Sequence, residues 1–310
     1  MFFPAHLYIC TKSACQRHWK GGAFISFYHL NADVISRGKG QSVTAAIAYI
    51  SGEKLRDEYE GRIHDRSYRT DILHKEILLP QDAPFEFSDR QTLVRAVDAS
   101  ENRSDSQMAR SIKIALPNEL SLDEQIALAK EFVTETFINI GLCADIAFHA
   151  GLLDESRKPA NIEAVYERQN NPHAHIITPF RTVDKDGFHR TKTQMRYMNH
   201  KSYSTKWRKL WAELQNREFE KRGLDIRVSH ESLYAQGIMR EATKHIGAGA
   251  MALELRGIET KAGEDYRKTM TRNKEREIKR EIERERRRER TRKRERDRSM
   301  ERSRLFERSR

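Results

Sequence analysis

Asn171-Pro172-His173-Ala174-His175-Ile176-Ile177-Thr178-Pro179-Phe180 decides the fold. Alternate residues of a strand face the same side. His173 and His175 therefore point their imidazoles together, and Ala174 points into the core. Pro172 marks the strand start, where a missing N–H costs little. Two imidazoles at this spacing invite a divalent metal with a third ligand nearby. His149 closes the preceding predicted strand, Asp145–His149, and antiparallel pairing brings it to the same face. The plain alternative is a pair of surface histidines and a third at a strand end.

Outward from this stretch, short β-prone runs alternate with amphipathic helices. Phe24–Ile35 is β-prone and bounded by Gly21-Gly22 and Gly38. Ser36-Arg37-Gly38-Lys39-Gly40 reads as a turn whose backbone N–H groups, beside two cations, suit a phosphate. Gln41–Ser51 reads as a helix with Ser42 as N-cap and Gly52 as its stop. His74–Pro80 and Ser111–Pro117 read as strands, and Asp89–Ala99, Leu122–Ile140 and 203–222 as amphipathic helices. A loop or inserted helix is expected over 150–170. The sum is an α+β fold, an antiparallel sheet flanked by helices.

The 310 residues carry 58 Lys and Arg against 46 Asp and Glu, a net charge of +12. Residues 271–310 supply +9 of this, so the body is nearly neutral and the basic excess sits in an Arg/Glu-rich tail. An acidic partner follows, with nucleic acid first and a membrane surface second. The tail has too few apolar residues for a core or a heptad seam, and reads as a solvated helix or as disorder. Three cysteines, Cys10, Cys15 and Cys143, form no disulfide framework and fit a reducing cytoplasm. Cys10, Cys15 and His18 make only a partial zinc knuckle that lacks a fourth ligand. No run is long and apolar enough to span a bilayer or serve as a signal peptide, so no membrane insertion is expected.

Two further residues carry candidate chemistry. Tyr49, within Ala-Ile-Ala-Tyr-Ile-Ser, reads on local grounds as a core tyrosine. Its other reading is a nucleophile, since a phenolate beside a metal can attack a phosphodiester. Glu101, in Glu101-Asn102-Arg103, can accept a proton or orient a metal-bound imidazole. The commoner role for such a carboxylate is a helix-surface ion pair.

Together these segments resemble the MobA/MobL family of plasmid mobilization relaxases, within the histidine-hydrophobe-histidine endonucleases. The resemblance rests on SRGKGQSVTAAIAYISGEKLRDEYEGRIHD (36–65), HKEILLP (74–80), SENRSDSQMARSIKIALPNEL (100–120), IALAKEFVTETF (126–137), NPHAHIITPFR (171–181) and HIGAGAMALELRGIET (245–260). It implies a relaxase domain over 24–262, preceded by an extension at 1–23 and followed by a tail at 263–310. It implies Tyr49 as nucleophile, Glu101 as the assisting acid, and His149, His173 and His175 as ligands of Mg²⁺ or Mn²⁺. His64, His74 and His189 are the other candidates for third ligand. The implied activity is strand-specific nicking of plasmid DNA at an origin of transfer, single-stranded at the nick, through a 5′-phosphotyrosine, followed by religation. Accessory mobilization proteins and a conjugative coupling protein are the implied partners. A rolling-circle replication initiator and a non-enzymatic DNA-binding protein are the competing readings.

Overall fold

The computed structural model describes residues 28–150, 171–192, 196–244, 246, 248–254 and 256–308. The extension at 1–23, the start of the Phe24–Ile35 run, the partial knuckle of Cys10, Cys15 and His18, and nearly all of the 150–170 segment lie outside these residues.

Five strands form the central sheet: β1 (Leu30–Ser36), β4 (Ile72–Leu78), β5 (Gln107–Ala115), β6 (Ala144–His149) and β7 (His173–Pro179), in the order β1-β5-β7-β6-β4. Every neighbouring pair is antiparallel. Two hairpins, β2 (Lys54–Asp57) with β3 (Arg62–Asp65) and β8 (Val183–Asp184) with β9 (Gly187–Phe188), lie outside it.

Alternation along the strands sends the core to both faces. Ile112, Ile114, Ile146, Phe148, Ala174 and Ile176 pack on one side beneath α3 (Leu122–Thr136) and α4 (Lys201–Lys221). Trp207 and Trp211 of α4 meet Phe132 and Phe137 there at ring separations of 5.4–5.5 Å. Each such aromatic pair is worth about 0.5–1.5 kcal/mol beyond the area it buries. On the opposite side Ala109, Ala147 and Ile177 receive Val43, Ile47 and Ile50 of α1 (Val43–Ser51), and Leu93, Val94 and Val97 of α2 (Arg90–Ser100). This is the face to which His173 and His175 belong.

Helix ends fall where the sequence signals them. Ser42 Oγ accepts from the Ala45 N–H at 3.0 Å, and Asp89 caps α2 in the same way. Ser121 and Glu124 form a capping box at the start of α3. Gly52 ends α1 in the left-handed region (φ +65°), and a Cβ there would meet Ile72 Cδ1 at 2.5 Å. That close approach locks β4 under the end of the helix that carries Tyr49. The predicted helix to Ile140 stops earlier, at Thr136, and continues as a 3-10 turn at Ile138–Ile140.

The turn at 36–40 is not the phosphate cradle that its composition suggested. The N–H of Arg37 donates to the Ser106 carbonyl, that of Gly40 to Arg37 and that of Gln41 to Ser36. The Arg37 guanidinium turns inward to Asp98 at 2.9 Å and to the Glu101 carbonyl. At the C-terminus, α5 (Ala248–Glu254) leads into α6 (Lys261–Arg308), so the tail is helical. The first turns of α6 are anchored by buried Tyr266 and by ion pairs from Arg267 to Glu254 and from Arg272 to Glu241. Among the described residues no helix is long and apolar enough to cross a membrane.

Candidate metal centre and active site

β6 and β7 pair so that His149 lies opposite His173 and Ala147 opposite His175. Three imidazoles therefore share one face of the sheet. Their ring centroids are 5.3 Å (149–173), 4.7 Å (149–175) and 5.0 Å (173–175) apart. One nitrogen from each lies within 4.8 Å of the other two, which suits capture of a single ion.

The hydrogen bonds assign the tautomers. His173 Nδ1 donates to the Asn171 carbonyl at 2.9 Å, so Nε2 keeps its lone pair. His149 Nε2 donates to the Ile50 carbonyl at 2.8 Å, so its lone pair is on Nδ1. That Nδ1 stands 3.3 Å from Arg69 Nη2 and 3.9 Å from Asp71 Oδ2.

Burial disfavours the charged imidazolium and pushes His173 down to about 3, with Lys113 adding repulsion. His175 falls to about 2, chiefly through burial, then through His173 and Lys113. Burial also lowers His149. All three are neutral near pH 7, the state a metal requires. The donor chemistry fits a divalent cation.

Tyr49 projects from the outward side of α1, 47% exposed, with its ring 6.2 Å from that of His175. The local reading of a core tyrosine is thus overturned. Val43, Thr44, Ile47, Ala48, Ile50 and Ser51 take the inward side, and at 100° per residue Tyr49 falls opposite them. Arg69 places its guanidinium carbon 4.3 Å over the Tyr49 ring, donates to the Tyr49 carbonyl at 2.9 Å and forks onto Asp71. Lys113 pairs across from His175 on β5 and shares the histidine face. Desolvation, then Arg69, lowers its pKa. Arg69, Asp71 and Lys113 escaped the sequence reading. For Lys113 the signal was present, because in Ser111-Ile112-Lys113-Ile114 the cation alternates away from the two core isoleucines.

Glu101 is not brought to this cluster. Its buried carboxylate pairs with Arg181 at 2.7 Å and with Lys192. Arg181 follows the far end of β7, six residues beyond His175, about 20 Å along an extended strand. The other candidate third ligands are elsewhere too. His74 packs a tilted ring against Phe148, 5.6 Å between centroids, on the opposite face of the sheet. His189 pairs with Asp184 at 2.8 Å, and His64 lies in the β2–β3 hairpin.

A second network fixes the sheet under the site. Arg90 of α2 forks onto fully buried Asp145 of β6 at 2.9 Å and 2.9 Å, and reaches Glu53 just after α1 at 2.9 Å. Burial raises Asp145 to about 6 against the pull of Arg90.

A five-stranded antiparallel sheet with three imidazoles on one face, set beside a helix-borne tyrosine, is the histidine-hydrophobe-histidine arrangement. The description "MobA/MobL family" matches residues 41–256, most of the chain. The chain belongs to the MobA/MobL family of mobilization proteins. It is 31% identical over 259 residues to "Mobilization protein MobL" of Acidithiobacillus ferridurans, covering 79% of this chain and 66% of that one. It is 31% identical over 254 residues to "Conjugal transfer protein TraA" of Rhizobium radiobacter, covering 73% and 22% respectively. The chain thus spans just under two thirds of the first relative and about a fifth of the second. A solved structure from work on the molecular basis of vancomycin resistance transfer in Staphylococcus aureus superposes with a TM-score of 0.56 at 35% identity, over 66% of this chain and 98% of that one.

Proposed function

We propose that the chain is a plasmid relaxase, nicking one DNA strand at an origin of transfer and religating it after conjugative transfer. The observation that carries the reading is an exposed Tyr49 whose ring lies 6.2 Å from His175, beside three neutral imidazoles.

His149, His173 and His175 would hold Mg²⁺ or Mn²⁺. When bound, the cation withdraws charge from a non-bridging phosphate oxygen. The Tyr49 oxygen attacks phosphorus in line. A phenolic O–P bond forms as the P–O3′ bond breaks, the phenolic proton passes to solvent water, and the departing oxygen takes a proton from water to leave a free 3′ hydroxyl. The phosphodiester energy is kept in the phosphotyrosine, so the reverse attack by a 3′ hydroxyl religates without ATP. Arg69 holds Tyr49 from above and shares the His149 Nδ1 lone pair. Lys113 is placed to meet a phosphate oxygen opposite His175. Glu101 serves at a distance, holding Arg181 and Lys192 at the far end of β7.

The substrate is plasmid DNA, single-stranded at the nick, in the cytoplasm, and delivery requires accessory mobilization proteins and a coupling protein. The family assignment favours this reading over a replication initiator, and a passive DNA binder leaves Tyr49 and its imidazoles without a role. The test is incubation with single-stranded origin DNA and Mn²⁺, then denaturing electrophoresis. An SDS-resistant protein–DNA band is expected with the unaltered chain and none with Tyr49→Phe. A full-strength band from Tyr49→Phe refutes the nucleophile.

A further inference from the structure

The β2–β3 hairpin gathers a second set of metal-binding side chains outside the site just described. Asp57 and His64 point to its buried side, 1% and 9% exposed, and Glu60 reaches back from the turn between them. His64 Nε2 lies 3.6 Å from Asp57 Oδ2 and 3.4 Å from Glu60 Oε2. It is buried and makes no hydrogen bond to any described residue. The nitrogen thus faces two carboxylates at ion-pair range without a hydrogen bond to either.

The two separations fit a shared tetrahedral ion. Ligands about 2.0–2.2 Å from a tetrahedral ion lie about 3.3–3.6 Å from one another. An octahedral ion with bonds of about 2.1 Å draws neighbouring ligands to about 3.0 Å. Both distances from His64 fall in the tetrahedral range, and one imidazole with two carboxylates is a donor set that zinc accepts. Each of the two oxygens already accepts one hydrogen bond, Asp57 Oδ2 from Ser42 and Glu60 Oε2 from Arg62, and a carboxylate oxygen has a second lone pair to give. Asp57 accepts from the Glu60 N–H at 2.8 Å through Oδ1, and from Ser42 Oγ through Oδ2. Glu60 accepts from Arg62 Nε at 2.5 Å, and that Arg62 side chain is largely exposed and free to withdraw.

We propose that Asp57, Glu60 and His64, with a water as fourth ligand, form a zinc site independent of the histidine triad. Ser42, the N-cap of α1, is bonded to Asp57, so an ion there pins the hairpin to the helix that carries Tyr49. From Ser42 to Tyr49 is seven residues, about 10 Å along the helix. On the relaxase reading above, the ion would steady the helix of the nucleophile without touching substrate.

The experiment is elemental analysis of the full chain after loading with Zn²⁺ and dialysis against metal-free buffer. With His149, His173 and His175 all changed to Ala, retained zinc is expected to fall by about one equivalent when His64→Gln is added. In the otherwise unaltered chain His64→Gln is expected to remove about one equivalent as well, which keeps the test open if the triad variant misfolds. Titration with Co²⁺ is expected to give the intense visible bands of a four-coordinate ion in the triad-free chain, lost on His64→Gln. Zinc content unchanged by His64→Gln in both backgrounds overturns the proposal, and so do weak bands typical of six-coordinate cobalt.

Discussion

Chelating the metal and lowering the pH should destabilise this protein through two histidines in particular. The folded chain holds His173 at about 3 and His175 at about 2, against 6.5 for a free imidazole. As pH falls below 6.5 the unfolded chain takes up two protons that the folded chain refuses, so stability drops with pH. Each pH unit in this window costs about 1.4 kcal/mol per histidine. From about pH 7 to pH 5 the two together cost about 4 kcal/mol. That is a large share of the roughly 5–15 kcal/mol that holds a domain together. The assay is urea unfolding in EDTA, followed by the fluorescence of Trp207 and Trp211, which lie in the core on the far side of the sheet. The shift should be on the order of 1 M in midpoint. Other groups titrate as well, so the quantity to read is the difference between the unaltered chain and His173→Gln/His175→Gln. The variant should lose about 4 kcal/mol less on acidification. Equal losses in both proteins would refute the desolvated, neutral pair. With metal bound, the folded chain should keep its ion at pH 5, because His173 and His175 remain neutral there.

Three other outcomes follow from the geometry. Arg90→Ala strands the fully buried Asp145 carboxylate and should cost about 3–5 kcal/mol in chemical unfolding; a loss under about 1 kcal/mol would mean the pair is idle. Arg69→Lys keeps the charge but loses the fork that grips Asp71 and the stack on Tyr49, so adduct formation should fall by on the order of tenfold while the urea midpoint moves little; unchanged adduct yield removes Arg69 from the site. Deleting residues 285–310 spares the anchored first turns of α6 and should flatten the log–log salt dependence of DNA binding by about 0.7–0.9 per lost phosphate contact, without moving the nick. An identical slope would assign the basic helix to a protein partner.

How far the site was legible in the sequence depended on whether a signal was local. Alternation over His173–Thr178 was enough to place two imidazoles on one face, because a strand that packs a sheet between two helical layers leaves no other arrangement for Ala174 and Ile176. Ser42 and Gly52 bounded α1 to within a residue or two, since a cap acts on its own turn. The local reading of Tyr49 as a core residue was misled by its small neighbours, although the helical period of Val43, Ile47 and Ile50 already turned it outward. The β2–β3 hairpin passed unseen because Lys-Leu-Arg-Asp and Arg-Ile-His-Asp are short and charged, with one apolar residue each. Glu101 stands beside its motif in the chain yet at the wrong end of β7 in space. Arg69 and Asp71 had no signal at all, since only the pairing of β4 with β6, Ile72 opposite His149, sets the segment before β4 over the triad. Arg69 and Asp71 beside Tyr49 were thus hidden by register, whereas two of the residues proposed to hold the metal, His173 and His175, were written in a two-residue period. A scan of Arg69, Asp71 and Lys113 for adduct yield therefore tests the register of the sheet as directly as it tests chemistry. If β4 were slipped by one residue against β6, its side chains would change faces, and Arg69→Ala would leave both metal affinity and nicking where they were.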